Sequence, residues 1–493
     1  MRKIAVLLFA MLFLFSSCAS DKEEEKTFTA AYAESVSYID PHKNSSRMMR
    51  DIYMHIYETL FSLEGENLEM NIAESISFSD GGKRLEIAIK DGILFSDGTP
   101  LEPSDVAFSL NRWAENNANA LSLLGDSRFS YDESSVFVAS AEPLYNIVYL
   151  MSSGTSLAVI SKEEALLENK YLLLDEITGS GPYVLSSLEP GISCTLEKNE
   201  NYRSKDDVFF DRIEFLSVSD SNMRRSGLER GEYDFITEVM SEDISSLEES
   251  EDVVLLQGEE SESIVLVYNK KKGIAAEKPF RQMVSLLIDK SHVMNAIYGK
   301  YGWRADSAYM EKQQTSFVFS GDPYYEKNIE KAIEIRDEYG YENEKVRILV
   351  SNLSNLDKAA LVIKQSLEEI GLSVEIEVLD WTGFLSRRND EGSFDLFISA
   401  FSTVALPQMK QYLNPSYAGW LEDEYLASLV EEMNRAGDLA SLSQIWEKAQ
   451  RYLWENCYVT VCGHYSTINA QRSSIDGVII SEGNRFYSAS SDS

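Results

Sequence analysis

Residues 39 to 112 read IDPHKNSSRMMRDIYMHIYETLFSLEGENLEMNIAESISFSDGGKRLEIAIKDGILFSDGTPLEPSDVAFSLNR, and the order of signals in this stretch decides the architecture. Leu85, Ile87 and Ile89 alternate with polar neighbours, the period of a strand that buries one face. Glycine-bearing turns lie on either side, at Ser79-Asp80-Gly81-Gly82 and Phe95-Ser96-Asp97-Gly98-Thr99-Pro100. Pro103-Ser104-Asp105 then opens a helix carrying Val106, Leu110 and Trp113. A proline and an acid stand where a first helical turn has fixed φ and unpaired amide groups to offer.

The same alternation of strand and helix continues through the chain. Val346, Ile348 and Val350 predict a strand, and Ala360, Ile363, Leu367 and Ile370 a helix that Gly371 ends. Val374, Ile376 and Val378 predict the next strand, so the three form a strand–helix–strand unit expected to be parallel and right-handed. Trp446 and Trp454 sit two turns apart in a helical stretch and read as core. The fold class is therefore α/β with mixed sheets. A chain of 493 residues is too long for one hydrophobic core and splits into two or three lobes. With no low-complexity linker after residue 26, the chain is expected to cross between lobes more than once.

The N-terminus reads as a secretory signal. Arg2 and Lys3 precede an apolar run from Ile4 to Phe15, then small Ser16 and Ser17, then Cys18. A cysteine directly after such a cleavage site has the thiol that lipoprotein processing modifies, so residues 1–17 are expected to be removed and Cys18 lipidated. Phe15 stands where a leucine is commonest, and ordinary secretion with an incidental Cys18 is the competing reading. Residues 18–26, with Asp21, Glu23, Glu24 and Glu25, fit a solvated acidic tether. No other run approaches the roughly 20 apolar residues of a spanning helix. The expected product is exported, anchored to a membrane by its lipid, and faces the periplasm or the cell exterior.

The chain carries a formal charge of −36, and −38 once the two N-terminal cations are removed. Nucleic acid is excluded as a partner of the bulk field. The acidic stretches 247–252 and 258–262 read as solvated surface. Past Cys18 only Cys194, Cys457 and Cys462 remain, too few and too scattered for a disulfide framework or a zinc site. Cys457 and Cys462 read as facing opposite sides of one strand, unable to bridge each other. No metal and no cofactor is expected, and His42, His55 and His292 read as structural.

The motif series then carries a resemblance. Asp40-Pro41-His42, Ile56-Tyr57-Glu58-Thr59-Leu60-Phe61, Ala73-Glu74-Ser75, Ser79-Asp80-Gly81-Gly82, Phe95-Ser96-Asp97-Gly98-Thr99-Pro100-Leu101 and Asp105 to Arg112 stand in one order and spacing. Together they resemble the oligopeptide-type, family 5 solute-binding proteins of bacterial ABC importers. Gly179-Ser180-Gly181-Pro182-Tyr183, Asn199 to Tyr202, Asp211-Arg212-Ile213, Gly231 to Asp234 and Asn269 resemble its later motifs. So do Phe280-Arg281-Gln282, Ile288-Asp289-Lys290, Glu330 to Tyr341 and Ser393 to Leu396.

What the resemblance implies is a periplasmic-binding-protein type II-like fold, with two main lobes closing over a ligand and an extra lobe inserted. Lobe I would comprise 27–57, 176–268 and 466–493, the inserted lobe II 58–175, and lobe III 269–465, with crossovers near 268 and 466. It implies no catalysis. The partners would be a small-molecule or peptide ligand and an ABC permease with its ATPase subunits, and the protein a monomer. The family's peptide binders carry Gly-Trp after the pocket strand, with an acid three residues on that pairs with the peptide ammonium. Here Phe401 replaces that Trp, Val404 stands where the acid would be, and no acid appears until Glu422. Peptides held by a free N-terminus are therefore not the expected ligand, and another small solute is open. The ligand-binding candidates are Tyr32 on the first strand, Phe401, Ser402 and Thr403 on the pocket loop, and Trp381, Tyr417 and Trp420. Aromatic side chains flanking a ligand supply apolar area and a polar edge. Core packing is the competing reading for each, above all for Trp381 and Trp420.

Two other classes compete. A surface lipoprotein can keep this fold as a receptor, sensor or adhesin, since fold does not fix function. An exported two-carboxylate hydrolase has no motif to stand on, as the chain lacks His-Glu-x-x-His, Gly-x-Ser-x-Gly and a P-loop.

Overall fold

Two long strands, each paired along its length with the other, carry the chain from one half of the molecule to the other. The computed structural model describes residues 25–43, 46–64, 67–152, 159–161, 177–306, 319–352, 355–402, 411–436, 438–480 and 483–491. Residues 1–17, the expected signal segment, and Cys18 and Thr403 lie outside them. In chain order the first elements are β1 (Thr27–Tyr32), α1 (Arg47–Ile56), β2 (Phe61–Glu64), β3 (Asn67–Met70), β4 (Ala73–Ser79) and β5 (Arg84–Ile89). Next come α2 (Pro103–Glu115), α3 (Ala118–Leu124), β6 (Ser130–Tyr131), β7 (Ser135–Ala139) and α4 (Tyr145–Ser152). They are followed by β8 (Tyr183–Glu189), β9 (Ser193–Lys198), β10 (Arg212–Ser217), α5 (Ser221–Arg230), β11 (Phe235–Ile236) and α6 (Ser241–Glu248). The long β12 (Val253–Tyr268) leads to α7 (Lys278–Leu287), α8 (Lys290–Tyr298), β13 (Gly302–Arg304) and α9 (Ile329–Tyr339). Then follow β14 (Lys345–Ser351), α10 (Leu356–Glu368), β15 (Ser373–Leu379), α11 (Trp381–Arg388) and β16 (Leu396–Ser402). Then come α12 (Glu424–Asn434), α13 (Leu439–Asn456) and β17 (Val459–Arg472), followed by four two-residue strands.

One mixed sheet runs in the order β15-β14-β16-β12-β17-β11-β1-β10-β9-β8, with β13 added beside β17. At one end β14 pairs in parallel with β15 and β16, as the strand–helix–strand reading expected. At the other, β1 pairs in parallel with β10 and β11. A separate four-stranded sheet, β4-β5-β7-β6, packs with α2 over its own core of Leu85, Ile87, Val106, Leu110 and Trp113. The alternation of Leu85, Ile87 and Ile89 is the buried face of β5. Pro103 opens α2, where Glu102 and Asp105 form the reciprocal capping box. The half around β1 buries Phe28, Tyr53, Phe215 and Phe486, and the half around β14 buries two further clusters on its opposite sheet faces.

The β12–β17 ladder shifts register twice, first between the halves and again between Ile264 and Val265. Gln257 pairs with Ile468, and the next pair is Ser261 with Ser466, so residues 258–260 stand opposite Thr467 alone. Such a bulge bends and twists a strand. Beyond it Ile264, Leu266 and Tyr268 belong to the core around β14. The first ladder break on β12 falls at 258–260, and the strand itself continues through it to Tyr268.

One expectation is corrected. Cys457 is not on a strand but caps α13 with φ of 43°, and β17 begins at Val459. Cys194, Cys457 and Cys462 are all buried free thiols. The acidic stretch 258–262 lies at the crossover, where Glu262 is paired and half-buried. No helix among the described residues is long and apolar enough to cross a membrane.

Candidate ligand-binding cleft

Parallel strands concentrate their open loops at their C-terminal ends, and ligands of open α/β sheets bind there at a switch in strand order. This molecule has two such sets, and both point at the crossover. In one half β16 ends at Ser402 opposite Glu262, with β14 and β15 ending beside it at Ser351 and Leu379. In the other half β11 runs antiparallel to β17 toward the bulge, and Val239 beyond its end donates to Ile468 O. The cleft therefore lies between two sets of strand ends, floored by the paired crossover.

The floor is polar and aromatic. Arg47, from the start of α1, donates to Thr467 Oγ1 at 2.7 Å and stands 3.6 Å from Glu238 and 3.7 Å from Glu262. Tyr465 donates to Glu262 Oε2 at 2.6 Å, and its ring stacks on Tyr298 at 3.7 Å. Burial, then the Glu262 charge, raises the Tyr465 hydroxyl well above its ordinary pKa, so it remains a donor. Glu238 has a φ of 55°, a left-handed conformation that a side chain of its kind adopts only when held. Its amide donates to Asn469 Oδ1 and its carbonyl accepts from Arg224, which hold it there. From the walls, α10 and α11 start at the ends of β14 and β15, and Asp380 caps α11 by accepting from Gly383 N at 2.7 Å.

The sequence-derived candidates separate into three places. Trp381 opens α11 at the cleft end of β15, is 43 % exposed, and stacks on Phe384 at 5.6 Å. Phe401 and Ser402 end β16 at the cleft, but the Phe401 ring turns into the core and meets Tyr412 edge-on at 4.6 Å. Tyr32 is at the cleft end of β1 yet 1 % exposed, donating to Asp51 Oδ2 at 2.7 Å within lobe I. Tyr417 accepts from Arg388 at 2.6 Å with the guanidinium 4.5 Å from its ring. Trp420 stacks on Phe394 at 5.8 Å near the opposite end of the lobe III strands. Arg47, Glu238, Glu262, Tyr298 and Tyr465 went unrecognised in the sequence. Arg47 lies inside the signature stretch, where spacing alone offers no role for it, and Glu262 lies in a run of acids that reads as surface.

Two lobes joined by a double crossover, with open strand ends facing a common cleft, define a solute-binding protein of the type II periplasmic class. Residues 67–420, more than two thirds of the chain, match the family model "Bacterial extracellular solute-binding proteins, family 5 Middle". This protein belongs to that family of extracellular solute-binding proteins. It is 23% identical over 492 aligned residues, 90% of each chain, to a probable peptide ABC transporter periplasmic-binding protein of Sinorhizobium fredii. In fold it is similar to the substrate-binding protein CtaP of Listeria monocytogenes, at a TM-score of 0.80 and 20% identity over 92% of this chain and 96% of that one. It is similar too to DppA of Helicobacter pylori in complex with the peptide STSA, at 0.76 and 19% over 95% and 98%.

Proposed function

We propose that this protein captures a small solute between its two lobes and delivers it, in the closed form, to an ABC permease. The observation that carries this reading is the meeting of both sets of strand C-termini at the bulged crossover. A ligand bound there touches both lobes only when they close, and such differential contact is what allows binding to shift a population toward closure. The protein supplies no chemistry; ATP is consumed by the transporter's other subunits. The relative named above is described as peptide-binding, and a peptide-like solute is a natural first candidate. Val404, at the position expected of the acid, lies outside the described residues. Glu422, the first acid after β16, sits near Lys271 by the outer turn of lobe III, away from the cleft. Recognition of a free peptide ammonium by that acid is therefore not part of the proposal.

The protein is further proposed to be tethered through lipid on Cys18, supported by the N-terminal pattern of the sequence, and to be a monomer. Small-angle scattering against a library of peptides, sugars and chelates tests the main reading. A saturable fall in radius of gyration with at least one solute is expected, and no change with any solute argues against capture by closure. Labelling with a fatty-acid analogue, lost in Cys18→Ser, checks the anchor.

A further inference from the structure

A second cavity lies at the end of lobe III farthest from the cleft. Lys270 and Lys271 follow β12, and from the bulge to Tyr268 is eight residues of strand, about 26 Å at 3.3 Å each. Here a cavity of about 310 Å³ opens among Lys270, Lys271, Arg281, Trp420, Glu422 and Tyr458.

Two of its cations, Lys270 and Arg281, have no anionic partner among the described residues. Lys270 Nζ donates to Tyr268 O at 3.0 Å and Tyr458 O at 3.2 Å, which leaves the third ammonium proton without an acceptor among the described residues. Arg281, 3 % exposed, donates to the carbonyls of Ala275, Ala276, Asn456 and Cys457. Among the described residues neither cation forms an ion pair, whereas Lys271 is paired with Glu391 at 2.6 Å. Burial and then the Arg281 charge lower the Lys270 ammonium to about 7. A half-buried ammonium beside a buried guanidinium is costly unless a counter-charge completes the pair. Backbone carbonyls offset part of that cost, and the cavity is where the remainder is met. At the rim the Trp420 backbone is held at φ of 44°, with its amide donating to Tyr417 O. Tyr458 is fixed by donating to Asp423 Oδ2 at 2.6 Å, and Arg281 lies 5.3 Å from its ring. Glu422, exposed on the rim, is the lining's one carboxylate and opposes an anion.

We infer that this cavity is a binding site for a small oxyanion, a carboxylate or an inorganic anion, held by Lys270 and Arg281 and separate from the solute cleft. The inference stands whether or not the cleft binds a transported solute.

Titration calorimetry of the full chain with sulfate and with acetate, at fixed ionic strength set by chloride, tests it. Saturable one-site binding of at least one of the two is expected; sulfate alone assigns inorganic oxyanions, and acetate binding assigns carboxylates. Lys270→Met is expected to weaken binding at least tenfold, Glu422→Gln to tighten it severalfold, and Lys345→Met, a distant exposed lysine, to leave it unchanged. No saturable heat with either anion overturns the site, as does equal binding by the parent and Lys270→Met. Should Lys270→Met fail to fold, unaltered affinity in Glu422→Gln overturns it independently.

Discussion

At the scale of single residues, His55 shows how an apolar helix face buries a titratable group. Its Nδ1 lies 2.7 Å from Asp51 O, and its Nε2 accepts from Phe486 N at 2.8 Å, which fixes a neutral ring with the proton on Nδ1. Burial lowers its pKa from 6.5 to about 4. The unfolded chain takes up this proton near pH 6.5 and the folded chain only near 4, so stability falls as pH drops through that window. The loss is about 3 kcal/mol by proton linkage. Urea unfolding at pH 7 and pH 4.5 is expected to show a shallower pH dependence for His55→Gln than for the parent; parallel slopes would remove His55 as the cause. Gly179 illustrates a different constraint. A Cβ there would lie 1.9 Å from Ile56 O, so the glycine is required by close approach of the chain to the end of α1. Gly179→Ala is expected to cost more than about 2 kcal/mol, as overpacking against backbone does, read as a lowered denaturation midpoint.

At the scale of elements, β14 and β16 are joined by more than their ladder. Asp395, entering β16, accepts from Arg347 N at 2.8 Å and from its guanidinium at 3.1 Å. Asp395→Ala strands a half-buried guanidinium and the Arg347 amide, and a loss of about 3 kcal/mol is expected. Thermal unfolding with and without the substitution measures it; a shift under one degree would show that solvent replaces the pair. The elements themselves were legible beforehand, since β5, α2, β14, α10 and β15 each follow a periodicity of two or 3.6. Cys457 was not legible, because a left-handed cap set by helix packing leaves no periodic trace. Nor was the cleft face of β16. Period two puts Phe401 and Ser402 on opposite faces, but which face meets the cleft depends on what covers each side.

At the scale of the molecule, the ends of the signature stretch meet. Arg112 on α2 holds Asp40 through two hydrogen bonds of 2.8 and 2.6 Å and lies 2.9 Å from His42 Nδ1, which joins the inserted lobe to lobe I. Burial opposes the Asp40 charge, but the Arg112 contacts prevail and keep its carboxyl below the usual range. Arg112→Ala is expected to cost about 2 kcal/mol and to speed proteolysis between the lobes; unchanged proteolysis would show the lobes held by packing alone. Across the crossover, Arg47 plays the corresponding part with Thr467 and Glu262. Arg47→Ala is expected to raise amide exchange of residues 256–262 by about tenfold, while exchange in β5 stays as it was.

By itself the sequence determined the α/β class, the division into lobes and the family, because local periodicity and short turn motifs are written in neighbouring residues. It also offered Trp381 and the end of β16 as ligand-site candidates, with core packing weighed against Trp381. Only the tertiary structure decided the rest. Tyr32 and His55 are committed to a buried network with Asp51, Asn484 and Phe486, partners more than 400 residues away for all but Asp51. Glu262 became part of a polar floor rather than surface because β12 passes through a bulge opposite Thr467. The physical reason is common to both: burial and charge pairing depend on which strands lie side by side, and strand order joins segments that spacing along the chain cannot relate.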